Sequence, residues 1–238
     1  MMPFQGINPT NKFSVYEKLY VPSFTIIPMT DITAYSHFKS FRWVYDKMRV
    51  AELQGLACGP LGIIPDKFPV FLKPIYNLFG GSISAYKIDD ERRYDRHQNY
   101  HPGRFWMEFL EGDHMQHDIA MLKGEVQYAE KFLGHKFFLD GNHTGAFDFW
   151  VRGGKKDWNY NWLESHLQEY TGFINVETIG EQIIEIHLRP GLIVDLENVN
   201  IMNAFIKLYG GQKWSLPSSP GRPFYMLNIF GDKNTKYV

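Results

Sequence analysis

Cysteine is almost absent: Cys58 is the only one in 238 residues. That excludes a disulfide framework within the chain and leads us to expect a reducing compartment. An excess of charge is missing too. Against 26 aspartates and glutamates stand 25 lysines and arginines, a formal net charge of −1, so no global basic field invites nucleic acid. No apolar run approaches the ~20 residues that cross a bilayer, and the opening "MMPFQGINPTNKFSVYEKLY" lacks the apolar core of a signal peptide. The expectation is a soluble, cytoplasmic protein with neither a nucleic-acid nor a membrane partner. Several catalytic signatures are absent as well: G-x-x-x-x-G-K-[ST], H-E-x-x-H, C-x-x-C and G-x-S-x-G do not occur. P-loop, zincin, zinc-ribbon and α/β-hydrolase readings thereby lose their main support.

What is present is a chain long enough for one large domain or two small lobes. Aromatics make up 16% of it, which points to a packed core rather than disorder. A short strand is expected at Ser23–Ile27. In "SHFKSFRWVYDKMRVAELQG" the residues Phe38, Phe41, Tyr45 and Met48 recur at three- and four-residue steps, which predicts one amphipathic helix closed by Gly55. Strands are expected at Val70–Lys73 and Ser82–Ile88. The polar residues 89–103 read as a surface loop or short helix. "RFWMEFLEGDHMQHDIAMLKGEVQYAEKFLG" reads as three strands with turns at Glu111–Asp113 and at Lys-Gly. "GAFDFWVRG" adds a strand. "DWNYNWLESHLQEYTG" predicts a helix with Asp157 as N-cap and Gly172 as C-cap. "FINVETIG" and "QIIEIHLRPG" form a hairpin over Gly180 and Glu181, and "ENVNIMNAFIKLYGG" is a last helix. Interspersed helices and antiparallel strands give an α+β fold in two lobes. We divide the chain into a short N-terminal segment (1–34), a smaller lobe (35–104), a larger lobe with the closing hairpin (105–215) and a tail (216–238).

The alternation of a strand assigns faces. In the closing hairpin Ile184, Ile186 and Leu188 share one face, while Glu185, His187 and Arg189 share the other. The preceding strand divides in the same way, with Ile174 and Val176 apart from Asn175 and Glu177. If the strands pair, one surface holds two carboxylates, an amide, an imidazole and a guanidinium. It is either the solvated side of a half-buried sheet or a site for Mg²⁺ and phosphate. Hard oxygen ligands suit Mg²⁺ and arginine grips phosphate oxygens as a fork. A second constellation places Glu108 in a strand ahead of Leu110, Gly112 and His114, with His114, Gln116 and Asp118 on one face. It reads equally as a plain hairpin. Lys73 ends a strand-like run and Gly80-Gly81-Ser82 follows. Alone, these are a snorkelling lysine and a turn, or an amine and backbone N–H groups offered to an anion. Trp150 and Arg152 are candidate pocket residues.

In order along the chain, these fragments resemble the ATP-grasp superfamily of nucleotide-dependent ligases, from about Tyr45 to Arg189. "YDKMRVAELQGLACGPLGIIP" is similar to the family's opening helix and "FPVFLKPIYNLFGGSIS" to its P-V-x-x-K-P strand and glycine loop. "WMEFLEGDHMQHDIAMLKGEV" resembles the strand and hinge over adenine and ribose, and "INVETIGEQIIEIHLRPG" the closing metal hairpin. The resemblance implies an ATP-grasp-like fold of two α+β lobes with the nucleotide site between them. It implies Lys47 and Lys73 on the ATP phosphates, with Gly80, Gly81 and Ser82 as a lid over them. Glu108 and Leu110 would flank the adenine, partly through backbone groups, and His114 stands where a glutamate usually holds the ribose. The metal set would be Glu185, His187, Asn175 and Glu177. Asn175 stands in place of an aspartate or glutamine, His187 in place of an asparagine, and Glu177 is a second carboxylate. Lys73 and Arg189 would be catalytic.

The implied activity is an ATP- and Mg²⁺-dependent ligation of a carboxylate to an amine or other nucleophile through an acyl phosphate. The substrates would be small molecules or peptides, and homodimerisation stays open. The substituted positions keep a second reading in view: an ATP-grasp fold that binds nucleotide or a protein partner without ligation. A third is an interaction module whose polar strand faces are only solvated.

Overall fold

The structure is a computed structural model that describes residues 4–5, 25–76, 78, 85–98, 103–135, 149–153, 158–191, 199–216 and 225–227. A two-residue parallel ladder joins β1 (Phe4–Gln5) to β2 (Ile27–Pro28); of the strand expected at Ser23–Ile27 only Ile27 lies in β2, Thr25 and Ile26 are not in a strand, and Ser23 and Phe24 lie outside the described residues. Helix α1 (Asp31–His37) starts from a reciprocal cap. The Thr30 hydroxyl accepts from Thr33 N (3.3 Å) and the Thr33 hydroxyl accepts from Thr30 N (3.2 Å), which satisfies two N–H groups that a helix start leaves open.

The single helix predicted over residues 36–55 is two. A 3-10 helix, Lys39–Tyr45, is followed by α2 (Lys47–Leu53). Asp46 separates them: its backbone is extended (φ −81°, ψ 94°) and its carboxylate accepts from Arg49 N at 2.9 Å. A short acid that bonds the N–H three residues on competes with continued helix and restarts it as an N-cap.

Four strands, β3 (Cys58–Pro60), β4 (Val70–Pro74), β5 (Tyr86–Ile88) and β6 (Arg104–Glu108), form an antiparallel sheet in the order β3-β6-β4-β5. The strand expected at Ser82–Ile88 is described only as β5. Residues 89–103 contain α3 (Glu91–Gln98), which lays the fully buried Tyr94 against Val70, Leu72, Ile88 and Trp106. The other face carries Phe71, Phe105 and Met107, packed with Ala51 of α2.

The larger sheet contains β7 (His114–Leu122), β8 (Glu125–His135), β9 (Phe149–Arg152), β10 (Gly172–Ile179), β11 (Gln182–His187) and β12 (Tyr225–Leu227). Their order is β11-β10-β7-β8-β9-β12, and every pair is antiparallel. Helix α4 (Asn161–His166) is shorter than the predicted Asp157–Gly172. Leu167 leaves helical geometry (φ −110°, ψ 35°), Gly172 opens β10 instead of capping a helix, and Asp157 lies outside the described residues. Gly172 is required there because the Tyr170 hydroxyl sits 2.8 Å from where a Cβ would stand.

Period two then sorts the sheet. Ile174, Val176, Ile119, Met121, Ile186 and Leu188 face one way, into a core with Tyr45, Val50, Leu163 and Tyr170. On the opposite face Ala120 and Phe173 pack against Met202 and Phe205 of α5 (Val199–Tyr209). That face turns polar along the strands, where Asn175, Glu177, His114, Gln116 and Asp118 come into register.

Candidate functional site

The polar end of the large sheet meets the inner face of the small one. Phe71, Lys73, Met107, Glu108, Phe109 and Leu110 from the small-sheet side, with Ile179 and Ile184 from the hairpin, line a mainly apolar cleft of about 110 Å³. The β6–β7 connection runs along it, and Gly180 N, in the hairpin turn, donates to Asp113 O at 2.9 Å. Gly112 (φ +135°) allows the approach: a Cβ there would lie 3.1 Å from the Gly180 Cα. The cleft's polar end is the convergence of Lys73, Lys47 and the β10–β11 hairpin.

Lys73 is 5% exposed and donates to the Ile184 carbonyl at 3.0 Å, so the snorkelling reading of this lysine does not hold. Burial lowers its amine to about 8, against the pull of Glu185, while Lys47 pushes the same way as burial. Lys47, first residue of α2, donates to Glu185 Oε1. Glu185 faces Glu177 across the hairpin and His187 faces Asn175. Burial pushes the Glu185 carboxyl up, but Lys47, His187 and Lys73 outweigh it and hold it well below the usual carboxylate range.

His187 is 4% exposed and held between two acids: Nδ1 lies 3.0 Å from Asp31 Oδ1 and Nε2 lies 3.3 Å from Glu185 Oε2. Burial and Arg189 lower its pKa. The two carboxylates more than reverse this, raising it to about 9, so the ring is an imidazolium with both nitrogens donating. Arg189 donates to Asp31 Oδ2 through Nε (3.2 Å) and Nη2 (3.0 Å). Lys47, Glu185, His187, Asp31 and Arg189 thus form a row of alternating charge. Asp31 has no counterpart among the residues singled out by sequence. It falls in the short N-terminal segment, for which no helix is predicted, and nothing local marks its link to residues 156 and 158 positions away.

The other expected residues fall nearby. His114 Nε2 lies 3.1 Å from Glu177 Oε2, with Trp150 beside its ring at 6.1 Å between centroids. Glu108 turns its carboxylate away from the cleft to accept from Ala57 N (2.9 Å), so it lines the cleft chiefly as backbone, and Leu110 lines it beside Phe109. Asn175 points its amide at Asp118 Oδ1 (2.8 Å). Arg152 pairs with Glu130. Gly80, Gly81 and Ser82 lie outside the described residues.

Glu177, Glu185 and His187 bring ligand atoms within 4.8 Å of one another. The two carboxylates fit a hard cation such as Mg²⁺, whereas the His187 nitrogens are already held by Asp31 and Glu185. Among the described residues no helix is long and apolar enough to cross a membrane.

No family model and no curated protein matches the sequence, but solved structures match the fold. N5-carboxyaminoimidazole synthase from Aspergillus clavatus, solved with ADP and 5-aminoimidazole ribonucleotide, superposes with a TM-score of 0.58 at 12% identity, over 87% of this chain and 65% of that one. Phosphoribosylamine–glycine ligase from Thermotoga maritima gives 0.57 at 14%, over 82% and 63%. Biotin carboxylase from Campylobacter jejuni gives 0.57 at 13%, over 81% and 55%. This chain therefore spans less than two thirds of each of these enzymes. With its two antiparallel sheets, the cleft between them and these neighbours, the chain has the ATP-grasp fold.

Proposed function

We propose that the protein is an ATP- and Mg²⁺-dependent ligase joining a carboxylate to an amine or other nucleophile through an acyl phosphate. The observation that carries this reading is the meeting of Lys73, Lys47 and Glu185 from separate elements at the polar end of an apolar cleft. The ligands of the fold neighbours support it, since one was solved with ADP and another as a β-γ-ATP complex.

In this reading the apolar walls and the backbone at Glu108 and Leu110 take the adenine, and His114 takes the ribose. Lys47 and Lys73 leave Glu185 and the Ile184 carbonyl to bind the phosphates, and Gly80, Gly81 and Ser82 cover them. Glu177 and Glu185 would hold Mg²⁺, which offsets phosphate charge when bound. His187 stays in the proposed metal set as a neighbour that fixes Glu185, and Asn175, whose amide holds Asp118, stays in it by its place opposite His187 in the hairpin. A carboxylate oxygen attacks the γ-phosphorus, the bond to the β-γ bridging oxygen breaks, and ADP leaves. The nucleophile then attacks the acyl carbon, phosphate departs, and the nucleophile gives up its proton. Such a transfer rests on positioning and charge neutralisation. Arg189 stabilises the transferring group, and closure keeps water from the intermediate.

Isothermal calorimetry with Mg·ATP, followed by ADP release over a panel of carboxylates and amines, tests the proposal. Lys73→Ala should weaken Mg·ATP binding by roughly tenfold or more, the loss of a buried charge-assisted contact. A Lys73→Ala protein that binds and turns over ATP like wild type would overturn it. The engagement of His187 by Asp31 and of Asn175 by Asp118 favours a second reading, nucleotide binding without ligation. Tight Mg·ATP binding with no ADP formed over the whole panel selects that reading.

A further inference from the structure

Helix α1 precedes the segments that resemble the family's motifs, yet its first residue reaches the centre of the site. Asp31 is 5% exposed and accepts from four groups. Oδ1 takes the Tyr45 hydroxyl (3.1 Å) and His187 Nδ1 (3.0 Å), and Oδ2 takes Arg189 Nε (3.2 Å) and Nη2 (3.0 Å). The Tyr45 hydroxyl is fixed in turn by the Leu188 N–H, which donates to it at 3.1 Å. A buried carboxylate with all of these donors is a rigid template: removing it would leave Arg189 without a carboxylate and His187 with Glu185 alone.

The consequence for Arg189 is stereochemical. A guanidinium has five N–H groups in a fixed plane. Nε and one hydrogen of Nη2 go to Asp31, and one hydrogen of Nη1 goes to the Pro190 carbonyl at 2.9 Å. Three of the five are used. The remaining two, one on Nη1 and one on Nη2, have no partner among the described residues. They are charged donors at the tip of the side chain, suited to oxygens of one phosphoryl or carboxylate group.

We propose that Asp31 is a positioning residue for Arg189, holding the guanidinium so that its two remaining N–H groups meet the phosphoryl group in transfer. Helix α1 is then a part of the reaction site and not only a flanking element. The proposal rests on the ligase reading for the identity of the group that Arg189 meets. The locking of Arg189 itself does not depend on that reading, and the test separates the two.

The full-length, ¹⁵N-labelled protein is compared with Asp31→Asn and Asp31→Glu. In wild type the Arg189 Nε–H signal, assigned by its loss in Arg189→Lys, should be resolved and slow to exchange. In Asp31→Asn it should broaden or exchange fast. An unchanged signal in folded Asp31→Asn overturns the proposal whatever the protein's reaction. Inorganic phosphate is then titrated into the Mg·ADP-loaded proteins as a stand-in for the transferred group. Phosphate affinity should fall roughly tenfold more than Mg·ADP affinity does in Asp31→Asn. Asp31→Glu keeps the charge but shifts the oxygens by a methylene, and should fall between; it carries the same test where Asp31→Asn fails to fold. Equal phosphate affinity in wild type and the folded variants overturns the proposal. If wild type takes no Mg·ADP, the ligase reading fails, and the Arg189 signal still decides the role of Asp31.

Discussion

Asp118 holds one oxygen and leaves the other alone. Oδ1 accepts from Asn175 Nδ2 (2.8 Å) and Gly191 N (3.0 Å), while Oδ2 is buried without a hydrogen-bond partner among the described residues. Burial raises its pKa to about 6, against the opposing effect of these two bonds. The unfolded chain loses this proton near pH 4 and the folded one near 6, so between them the folded state binds more protons. Stability therefore falls as pH rises through that window, and the cost, ~2–3 kcal/mol, is complete above it. Asp118→Asn keeps the shape and removes the charge. It should melt higher than wild type at pH 7.5, and the gap should close near pH 4. The Lys47–Glu185 pair works the other way. Glu185→Gln strands Lys47 beside the buried Lys73, and urea unfolding should show a loss of about 3 kcal/mol that Lys47→Met in the same chain partly restores. At this scale the sequence was readable where chemistry alternates along a strand, as with Glu177, Glu185 and His187. It was silent on Asp31, whose partners come from a hairpin far along the chain, and contacts made only in space leave no local period.

Among elements, strands were the more legible. Period two and the Gly180-Glu181 turn identify the β10–β11 hairpin, because burial of one face imposes the alternation, but they misplace Ile184: a bulge opposite Glu177 and Thr178 puts Ile183 in the core with Ile186 and Leu188 and turns Ile184 to the cleft. Helices were less so. The three- and four-residue spacing ran through Asp46 unbroken, and only the acid's own hydrogen bond to Arg49 N stops the helix there. The contact between the β6–β7 connection and the hairpin turn gives an element-level prediction. Gly112 has φ +135° and no space for a Cβ, whereas Gly180 has φ +60° and a nearest neighbour at 3.5 Å. Gly112→Ala should cost about 2–3 kcal/mol and Gly180→Ala about 1 kcal/mol in urea unfolding. Equal costs would mean that the clash adds nothing to the strained backbone.

For the whole molecule, four degenerate motifs in one order carried the fold at identities of 12–14% to the structures that share it. Order and spacing persist because they are set by which strand lies beside which, even when side chains have changed. The two sheets are fastened through β11. Gln54 Nε2 donates to Ile183 O (2.9 Å), Gln54 Oε1 accepts from Ile183 N (2.7 Å), and Lys73 donates to Ile184 O. Ligand that binds across both sheets stabilises the folded state by mass action. On the ligase reading Mg·ATP should therefore raise the melting temperature of wild type, and Lys73→Ala should blunt that rise in thermal-shift measurements.

Gln54 also settles what happens at the rim of the large sheet. β11 is an end strand with β10 on one side only, and such a rim is a template on which a foreign strand can grow. The side-chain amide of Gln54 imitates a peptide group and fills the slot at Ile183, while the lysine ammonium fills the next one. A chain with Gln54→Ala offers an open N–H and C=O there. It should self-associate on mild warming, with a rise in thioflavin fluorescence and in sedimentation coefficient that wild type does not show. The clasp between the lobes is thus also the stopper that keeps the sheet at a finite width.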